Sequence, residues 1–384
     1  MKFPTLNTFL FKWVVCAVVP LLFYCQSPVE PPNTDSDAIE FESVWQYCKA
    51  LSIYQDSSIY DGRIPSDPFA FNQPRDILLA IRDTLKGYNY YTDYDWAAIN
   101  SPQPPLPSPA VAAVAFADSS PVFLDSLTPS TALLTITTFE GAFSGAVFDD
   151  FLIHASAASR FRNIIVNVRH NPGGLIDEAD SIIAALDTAG TRYLLARQRD
   201  KDPVTKNYVT LNWHAWTTTH GPIFGFGNKH FAVLMDTMTA SASEIMVAGL
   251  YEGAIARGMT MPIIGTRSYG KGMGQTQISR RTRKPLIITS LLFKGISSRI
   301  GDYHRKGILP DTVPPAIRQQ GDSAFSDDWR RQIFFAVKIL DSTASPGSIN
   351  YPVEHHPAPA PLSKVLPCYY NVITENDTML PRAH

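Results

Sequence analysis

Hydrophobic positions follow two different periods along the chain, and the change lies near residue 120. Before it, apolar side chains recur at steps of three and four in FESVWQYCKALSIY, which begins at Phe41, and in PRDILLAIRDTLKGY, which begins at Pro74. These steps place apolar side chains on one face of a helix. They predict a small helical N-terminal domain over residues 41–99.

After residue 122, short apolar runs alternate with amphipathic segments. The runs ALLTITTF, NIIVNVR, FAVLM and PLIITSLLF predict strands, and SGAVFDDFLIHASAAS, LIDEADSIIAALDTAG and SEIMVAGLYEGAIA predict helices between them. This alternation is typical of a layered α/β core, here residues 122–320. A C-terminal helix is predicted within residues 321–345. Residues 198–229, rich in aromatic residues, glycine and threonine, are predicted to form a long loop.

Proline-rich segments flank these regions. The chain of 384 residues contains 30 prolines, and they concentrate in a predicted linker at 100–121 and a predicted tail at 346–384. No internal repeat is present in the sequence. The chain therefore divides into a helical N-terminal domain and a larger core, with irregular segments between and after them.

The N-terminus has the pattern of an export signal. Lys2 and Lys12 precede the run WVVCAVVPLLFY, which is shorter than the about 20 apolar residues that span a bilayer. We predict a signal peptide over residues 1–25 and a tether over residues 26–40. The signal ends at Cys25, as in bacterial lipoproteins, although the two residues before it are bulky where a lipobox has small ones. A lipid anchor, an ordinary signal peptide and an uncleaved anchor all remain open.

Composition and cysteine usage narrow the classes of function. The formal net charge is −2 and 45% of residues are hydrophobic, which favours a large core and disfavours a nucleic-acid partner. The sequence contains no CxxC motif or Cys-His cluster, so a structural metal site is not expected. Cys48 and Cys368 could pair in an oxidising compartment or remain two separate thiols.

Two short motifs around Lys271 are misleading. GTRSYGKG, residues 265–272, matches a Walker A loop, but Gly272 stands where a serine or threonine would hold magnesium. SYGK matches the Ser-x-x-Lys pattern of penicillin-recognising enzymes, yet its flanking glycines oppose the helix that this pattern needs. No serine fits the G-x-S-x-G elbow either. A nucleotide-binding module is kept only as a weak alternative.

A serine nucleophile with a lysine base fits the remaining motifs. TASASE, residues 239–244, places two serines at a predicted helix start, and none of the nine histidines lies in a pattern typical of a triad. Lys271 follows an apolar strand, and a lysine in a dry pocket can act as a base. RHNPGGLIDEA, residues 169–179, offers two glycine amides at a helix start, which suits an oxyanion hole. A plain strand-to-helix turn has the same sequence.

Four motifs in this order, IIVNVRHNPGG, TASASE, GKGMGQT and KGILPD, resemble those of the S41 serine peptidases, the tail-specific or C-terminal-processing protease family. The resemblance covers residues 122–315. It implies the crotonase/ClpP-like layered α/β core of that family. It also implies a serine endopeptidase that cleaves protein or peptide substrates through an acyl-enzyme, with no metal or organic cofactor. Export then places the protein in the periplasm or, as a lipoprotein, on the outer membrane of a bacterium, with membrane contact only through Cys25.

The resemblance assigns roles to matching residues. Ser241 corresponds to the nucleophile, Lys271 to the general base, Gln275 to the residue that orients the lysine, and Glu244 to a supporting residue. Ser243 is interpreted as a bystander. RKGILPDTVPP, residues 305–315, is interpreted as the closing strand segment of the family, without a catalytic role. The remaining assignments are the oxyanion donors Ala242 and either Gly173 or Gly174, and a hydroxyl partner of the lysine loop, Ser268.

The sequence departs from the family in two ways. Ser241 and Lys271 are 30 positions apart, a longer interval than the family usually has. Fewer than 50 residues separate GYNYYTDY from ALLTIT, whereas a PDZ domain needs roughly 80 to 90. We therefore predict a PDZ-less branch of the family. The alternative function is a catalytically inactive, S41-like peptide-binding protein of the cell envelope.

Overall fold

A computed structural model describes most of the predicted core and parts of the N-terminal region. The predicted signal peptide, residues 100–119 of the predicted linker, and Cys368 lie outside the described residues. Most of the segment between GYNYYTDY and ALLTIT, where a PDZ domain would have to lie, is also outside the described residues. The described residues are 34–53, 67–80, 93–94, 120–140, 145–202, 204, 208–280, 286–313, 325–342, 344–352 and 369–374.

Five strands form the first sheet, in the order β2-β3-β4-β7-β8. β2 and β3 form an antiparallel hairpin, and β3, β4, β7 and β8 run parallel. Every residue of β3, β4 and β8 is buried, which explains why their sequences are nearly continuous apolar runs. The strands are β2 (Val122–Thr128), β3 (Thr131–Ile136), β4 (Asn163–Asn167), β7 (His230–Met235) and β8 (Ile263–Gly265).

The second sheet has the order β11-β9-β10-β5-β6, and the two-residue strand β1 pairs with β10. All neighbours in this sheet are antiparallel except β11, which runs parallel to β9. Its strands are β1 (Asp93–Tyr94), β5 (Arg192–Lys201), β6 (Tyr208–Thr217), β9 (Met273–Ser279), β10 (Leu286–Gly295) and β11 (Tyr369–Thr374).

Three helices lie between the two sheets: α3 (Ala146–Ala158), α4 (Ile176–Leu186) and α5 (Ala242–Ala256). Their buried side chains share one hydrophobic cluster with inward-facing residues of both sheets, including Val166 of the first and Phe293 of the second. Burial of this shared apolar surface is the largest contribution to holding the layers together.

Two further helical layers cover the outer faces. α6 (Phe325–Leu340) packs Trp329 and Ile333 against the first sheet, in a cluster with Leu133 and Ile165. α1 (Thr34–Leu51) and α2 (Pro74–Ala80) pack against the second sheet, in a cluster with Ile278 and Ile288. The sequence-based prediction of a layered α/β core with helical N-terminal elements is confirmed. No helix in the described ranges has the length and apolar character needed to cross a membrane.

The start of α1 corrects the predicted tether at 26–40, because the helix begins at Thr34. Polar and acidic residues suit the first turn of a helix, since its N-terminal amides carry partial positive charge. The lack of apolar residues in this turn was therefore not evidence for a tether. The helix is fastened to the core by Glu40, whose carboxylate accepts two hydrogen bonds of 2.9 Å from the Arg280 guanidinium. Cys48 on this helix is a buried free thiol, and burial raises its pKa.

Two segments predicted to be irregular contain strands. The predicted loop at 198–229 is wrong, because β6 forms a hairpin with β5, with Ala196 opposite His214. The predicted tail at 346–384 is wrong in part, because it contains a 3₁₀ turn at Pro346–Ser348 and the strand β11. β11 pairs with β9, which is distant in sequence, and local composition gives a weak signal for such pairing. β6 pairs with the preceding strand β5, but its polar and aromatic residues do not show a clear strand pattern.

Candidate active site

The fold brings three of the motifs to one edge of the first sheet. β4, β7 and β8 are parallel neighbours, so their carboxyl ends meet at the same edge. The turn 171–174 follows β4, the segment 239–244 follows β7, and the loop 266–272 follows β8. Residues beyond the carboxyl ends of adjacent parallel strands commonly form the binding crevice of an open α/β sheet.

Ser241 stands at the N-cap of α5 in a strained conformation. Its φ is 64° and its ψ is −121°, a region that residues other than glycine rarely occupy and that is often found at functional sites. The residue is 1% exposed. Its Oγ makes no hydrogen bond within the described part of the chain. A sharp strand-to-helix turn thus presents a buried, unengaged hydroxyl at the amino end of a helix.

Glu244 joins the serine segment to the lysine loop. Its Oε2 accepts hydrogen bonds from the main-chain N–H groups of Ser241, at 3.0 Å, and Lys271, at 2.7 Å. Its Oε1 accepts from the Ser268 hydroxyl, at 2.5 Å, and from the Gly270 N–H, at 2.7 Å. One fully buried carboxylate therefore fixes the main chain at Ser241 against the main chain at Lys271.

The KGILPD segment supports the lysine loop. Ile308 N–H donates to the Ser268 Oγ at 2.7 Å, and Ser268 N–H donates to the Ile308 carbonyl at 3.1 Å. Arg305 N–H donates to the Gly270 carbonyl at 2.7 Å. A Cβ on Gly270, whose φ is +95°, would lie 2.7 Å from the Gly307 nitrogen. The segment thus holds the loop that carries Lys271, a structural role that the sequence did not indicate.

The N-P-G-G turn packs directly against the serine. A Cβ added to Gly173, whose φ is +104°, would lie 2.6 Å from the Ser241 Cβ and 2.8 Å from the Ala240 carbonyl oxygen. Glycine is therefore required for this close approach. Ala242 is the first residue of α5, where a helix leaves its N–H groups without intrahelical partners. The turn and the helix start thus meet at Ser241, as an oxyanion hole requires.

Comparison with known proteins indicates the family. The model of the family described as Peptidase family S41 matches residues 130–313. Over this segment the chain belongs to peptidase family S41. It is 29% identical over 172 residues to the chloroplastic carboxyl-terminal-processing peptidase 3 of Arabidopsis thaliana, covering 44% of this chain and 30% of the relative. It is 27% identical over 197 residues to a CtpA-like serine protease of Staphylococcus epidermidis, covering 51% and 36%. The chain thus matches about a third of the length of these relatives.

Two solved structures with a similar fold align with most of this chain. The photosystem II D1 C-terminal processing protease has a TM-score of 0.48 and 13% identity, covering 75% of this chain and 95% of that chain. A lipoprotein from Streptococcus agalactiae has a TM-score of 0.49 and 12% identity, covering 82% and 98%.

Most of the site residues implied by the S41 resemblance come together, and the long interval between Ser241 and Lys271 is accommodated. α5 runs to Ala256, and the chain returns through β8 to the edge where α5 began. Lys271 is 0% exposed. The hydrogen bond that a resting Ser-Lys dyad would show is not formed, because the Ser241 Oγ has no hydrogen-bond partner among the described residues. Gln275 lies buried in β9 opposite Thr289, and its role in orienting the lysine stays a prediction.

Sequence reasoning missed two residues that connect the S41 motifs. Asn171 was interpreted only as part of a turn, and Ser243 as a bystander. The Ser243 hydroxyl donates to the Asn171 carbonyl at 3.0 Å, and the Ala240 N–H donates to the same oxygen at 3.1 Å. The one available signal was a polar residue between a buried strand and two glycines.

Burial dominates the ionisation of Glu244. Burial raises its pKa to about 7, although the hydrogen bonds from Ser268, Ser241, Gly270 and Lys271 lower it in part. The acid thus releases its proton near neutral pH in the folded protein. The strength with which the serine and lysine segments are joined therefore changes over the same pH range.

Stability is expected to fall as pH rises from about 4.5 to about 7. Over this window the folded protein holds a proton on Glu244 that the unfolded chain has released, so the contribution is complete below the window and lost above it. Glu244 accounts for up to about 3 kcal/mol of this fall in the free energy of unfolding. Asp180, whose pKa burial also raises to about 7, acts with the same sign.

Calorimetry at pH 5 and pH 7.5 measures this dependence in wild type, Glu244→Gln and Asp180→Asn. The fall in melting temperature between the two pH values should be smaller in each variant than in wild type. An equal fall in wild type and Glu244→Gln would contradict the assignment.

Proposed function

We propose that the chain is a serine endopeptidase that hydrolyses peptide bonds of protein substrates through Ser241 and Lys271. The observation that carries the proposal is the Glu244 carboxylate, which holds the main chain of both residues by hydrogen bonds of 3.0 and 2.7 Å. Membership of family S41 supports the class of reaction. The positive φ of Ser241 and the glycine turn packed against it support the assignment of the nucleophile.

Acylation would proceed from the neutral amine of Lys271. Nζ takes the hydroxyl proton as the Ser241 Oγ attacks the scissile carbonyl carbon, and a tetrahedral intermediate with a negative oxygen forms. The Ala242 N–H and a glycine N–H of the N-P-G-G turn stabilise that oxygen, helped by the positive end of α5. The intermediate collapses as the C–N bond breaks, and Nζ returns the proton to the leaving amine.

Deacylation repeats these steps with water. Nζ takes a proton from the water that attacks the ester carbonyl, and the second tetrahedral intermediate expels the Ser241 oxygen, which recovers the proton from Nζ. Gln275 would orient the amine throughout, and Ser268 would hold the loop. A lysine away from bulk water is the kind of amine that serves as a general base.

A peptide must enter a closed site. Ser241 is 1% exposed and Lys271 is 0% exposed, so a substrate reaches them only after the surrounding segments move. The same movement could bring Nζ to the Ser241 Oγ, because catalytic hydrogen bonds are often completed only in the substrate complex. We further propose that the protein acts after export, at the envelope of a bacterium.

The second candidate function is an inactive peptide-binding protein. Among the described residues the Ser241 Oγ has no hydrogen-bond partner. This favours the inactive function, since an active dyad needs the lysine within reach. Such a protein would retain the closed crevice and the glycine turn and bind extended peptides without cleaving them.

Labelling with a fluorophosphonate distinguishes the two functions. We expect slow covalent modification of wild type, mapped by mass spectrometry to Ser241 and absent from Ser241→Ala. Ser130→Ala is the control, since the Ser130 hydroxyl donates to the Asp341 Oδ2 at 3.0 Å at the turn between β2 and β3, and it should still be labelled at Ser241. Modification of Ser243 in Ser241→Ala, or no labelling of wild type while peptides still bind, would count against the proposed nucleophile.

A further inference from the structure

Asn171 connects three segments of the site through four hydrogen bonds. Its Oδ1 accepts from the Gly173 N–H at 2.9 Å, and its Nδ2 donates to the Ile136 carbonyl at 3.0 Å. Its own carbonyl accepts from the Ala240 N–H and from the Ser243 hydroxyl. The residue is 0% exposed. The side-chain amide thus ties the glycine turn to the end of β3, and the main-chain carbonyl of the same residue ties the turn to the serine segment.

We propose that Asn171 is a positioning residue that selects the Gly174 N–H, and not the Gly173 N–H, as the partner of Ala242 in the oxyanion hole. The proposal rests on the proposed peptidase function. An N–H group engaged by a buried side-chain oxygen cannot also point at a substrate oxygen without losing that bond. Since Asn171 holds the Gly173 N–H, the following amide is the one left to serve.

The direction of the Gly174 amide follows from its pairing with Phe139. Phe139 N–H donates to the Gly173 carbonyl at 2.9 Å, and Leu175 N–H donates to the Phe139 carbonyl at 2.8 Å. This is a parallel bridge between Phe139 and Gly174. In such a bridge the N–H of the middle residue points away from the bridged strand. The Gly174 N–H therefore points away from Phe139.

The Asn171 carbonyl sets the spacing between the two donors. Ala240, two residues before Ala242, and Ser243, directly after it, both donate to that carbonyl. A Cβ on Gly173 would lie 3.1 Å from the Ala242 nitrogen, so the turn and the helix start are in contact. Asn171 thus bonds to residues before and after Ala242, the first donor. It also bonds to Gly173, which precedes Gly174, the second donor.

Loss of the side chain should affect the transition state more than substrate binding. In Asn171→Ala the Gly173 N–H is released and the turn is no longer tied to Ile136, so we expect kcat to fall about 100-fold. KM should stay within about twofold, because the oxyanion donors act mainly on the tetrahedral intermediate. Asn171→Asp keeps an acceptor for the Gly173 N–H, so its kcat should fall less than that of Asn171→Ala.

Kinetics with a peptide substrate and a peptide aldehyde test this role. The Ser241 Oγ adds to the aldehyde carbon and its proton moves to Lys271 Nζ or the aldehyde oxygen, which gives a tetrahedral adduct. The affinity for the aldehyde should therefore fall in parallel with kcat in Asn171→Ala. Asn163→Ala is the matched control, because Asn163 is buried on the same chain segment, at the other end of β4, and donates to the Thr131 hydroxyl at 3.1 Å. The role is refuted if Asn171→Ala and Asn163→Ala have the same kcat and aldehyde affinity.

Hydrogen exchange of the wild-type glycine amides tests the selection without a variant and without activity. We expect the Gly173 amide to exchange slowly and the Gly174 amide to exchange faster. Slower exchange at Gly174 than at Gly173 would overturn the selection, even if hydrolysis is observed. Failure of wild type to hydrolyse any peptide would overturn the peptidase function alone, since the exchange rates would still decide which amide Asn171 holds.

Discussion

Lys271→Met is expected to lower kcat for peptide hydrolysis by at least about a thousandfold. Without the amine, nothing at the edge of the first sheet takes the Ser241 proton in the proposed mechanism. Lys271 is fully buried, and methionine has a similar length without a charge to bury, so the fold should be retained. The measurement is single-turnover kinetics on one peptide, together with the melting temperature of each protein.

Lys294→Met is the control for this substitution. Lys294 lies on β10 with its Nζ 4.2 Å from the centroid of the Trp213 ring, outside the contacts that form the site. It should retain activity close to that of wild type. If Lys271→Met retained more than about a tenth of the wild-type kcat, another group would have to be the base.

Glu244→Ala is expected to destabilise the folded protein by about 3–5 kcal/mol and to abolish hydrolysis. The substitution leaves four donors without their acceptor: the N–H groups of Ser241, Gly270 and Lys271, and the Ser268 hydroxyl. It also leaves a cavity at the start of α5. Urea denaturation measures the change in the free energy of unfolding.

Glu252→Ala provides the comparison within the same helix. Glu252 is buried and accepts a hydrogen bond from the Ser297 N–H at 2.8 Å, so about 1–2 kcal/mol is expected from its loss. Equal destabilisation by the two substitutions would show that Glu244 does not join the two segments in the way described. Retained hydrolysis in Glu244→Ala would show that the join is not needed for activity.

Sequence patterns were sufficient for most strands and helices of the core and for the motifs that follow them, because each depends on neighbouring residues. Apolar runs indicated β4, β7 and β10, and the turn and helix-start residues placed the motifs after strands. The meeting of the motifs at one edge depends on the parallel pairing of β4, β7 and β8. That pairing follows from the alternation of strands with crossover helices.

Contacts between residues distant in sequence could not be predicted. Ser243 and Asn171 are 72 positions apart, and Ser268 and Ile308 are 40 apart, so neither hydrogen bond has a local signature. The strand β6 was missed because its polar and aromatic residues resemble those of a functional loop. The early start of α1 was missed because its first turn carries no apolar face.

The central claim is that Ser241 and Lys271 together cleave peptide bonds. Digestion of a peptide library by wild type, Ser241→Ala and Lys271→Met, with products identified by mass spectrometry, tests it most directly. The account predicts new peptide termini with wild type and none above background with either variant. The same products at the same rate from all three proteins would contradict it.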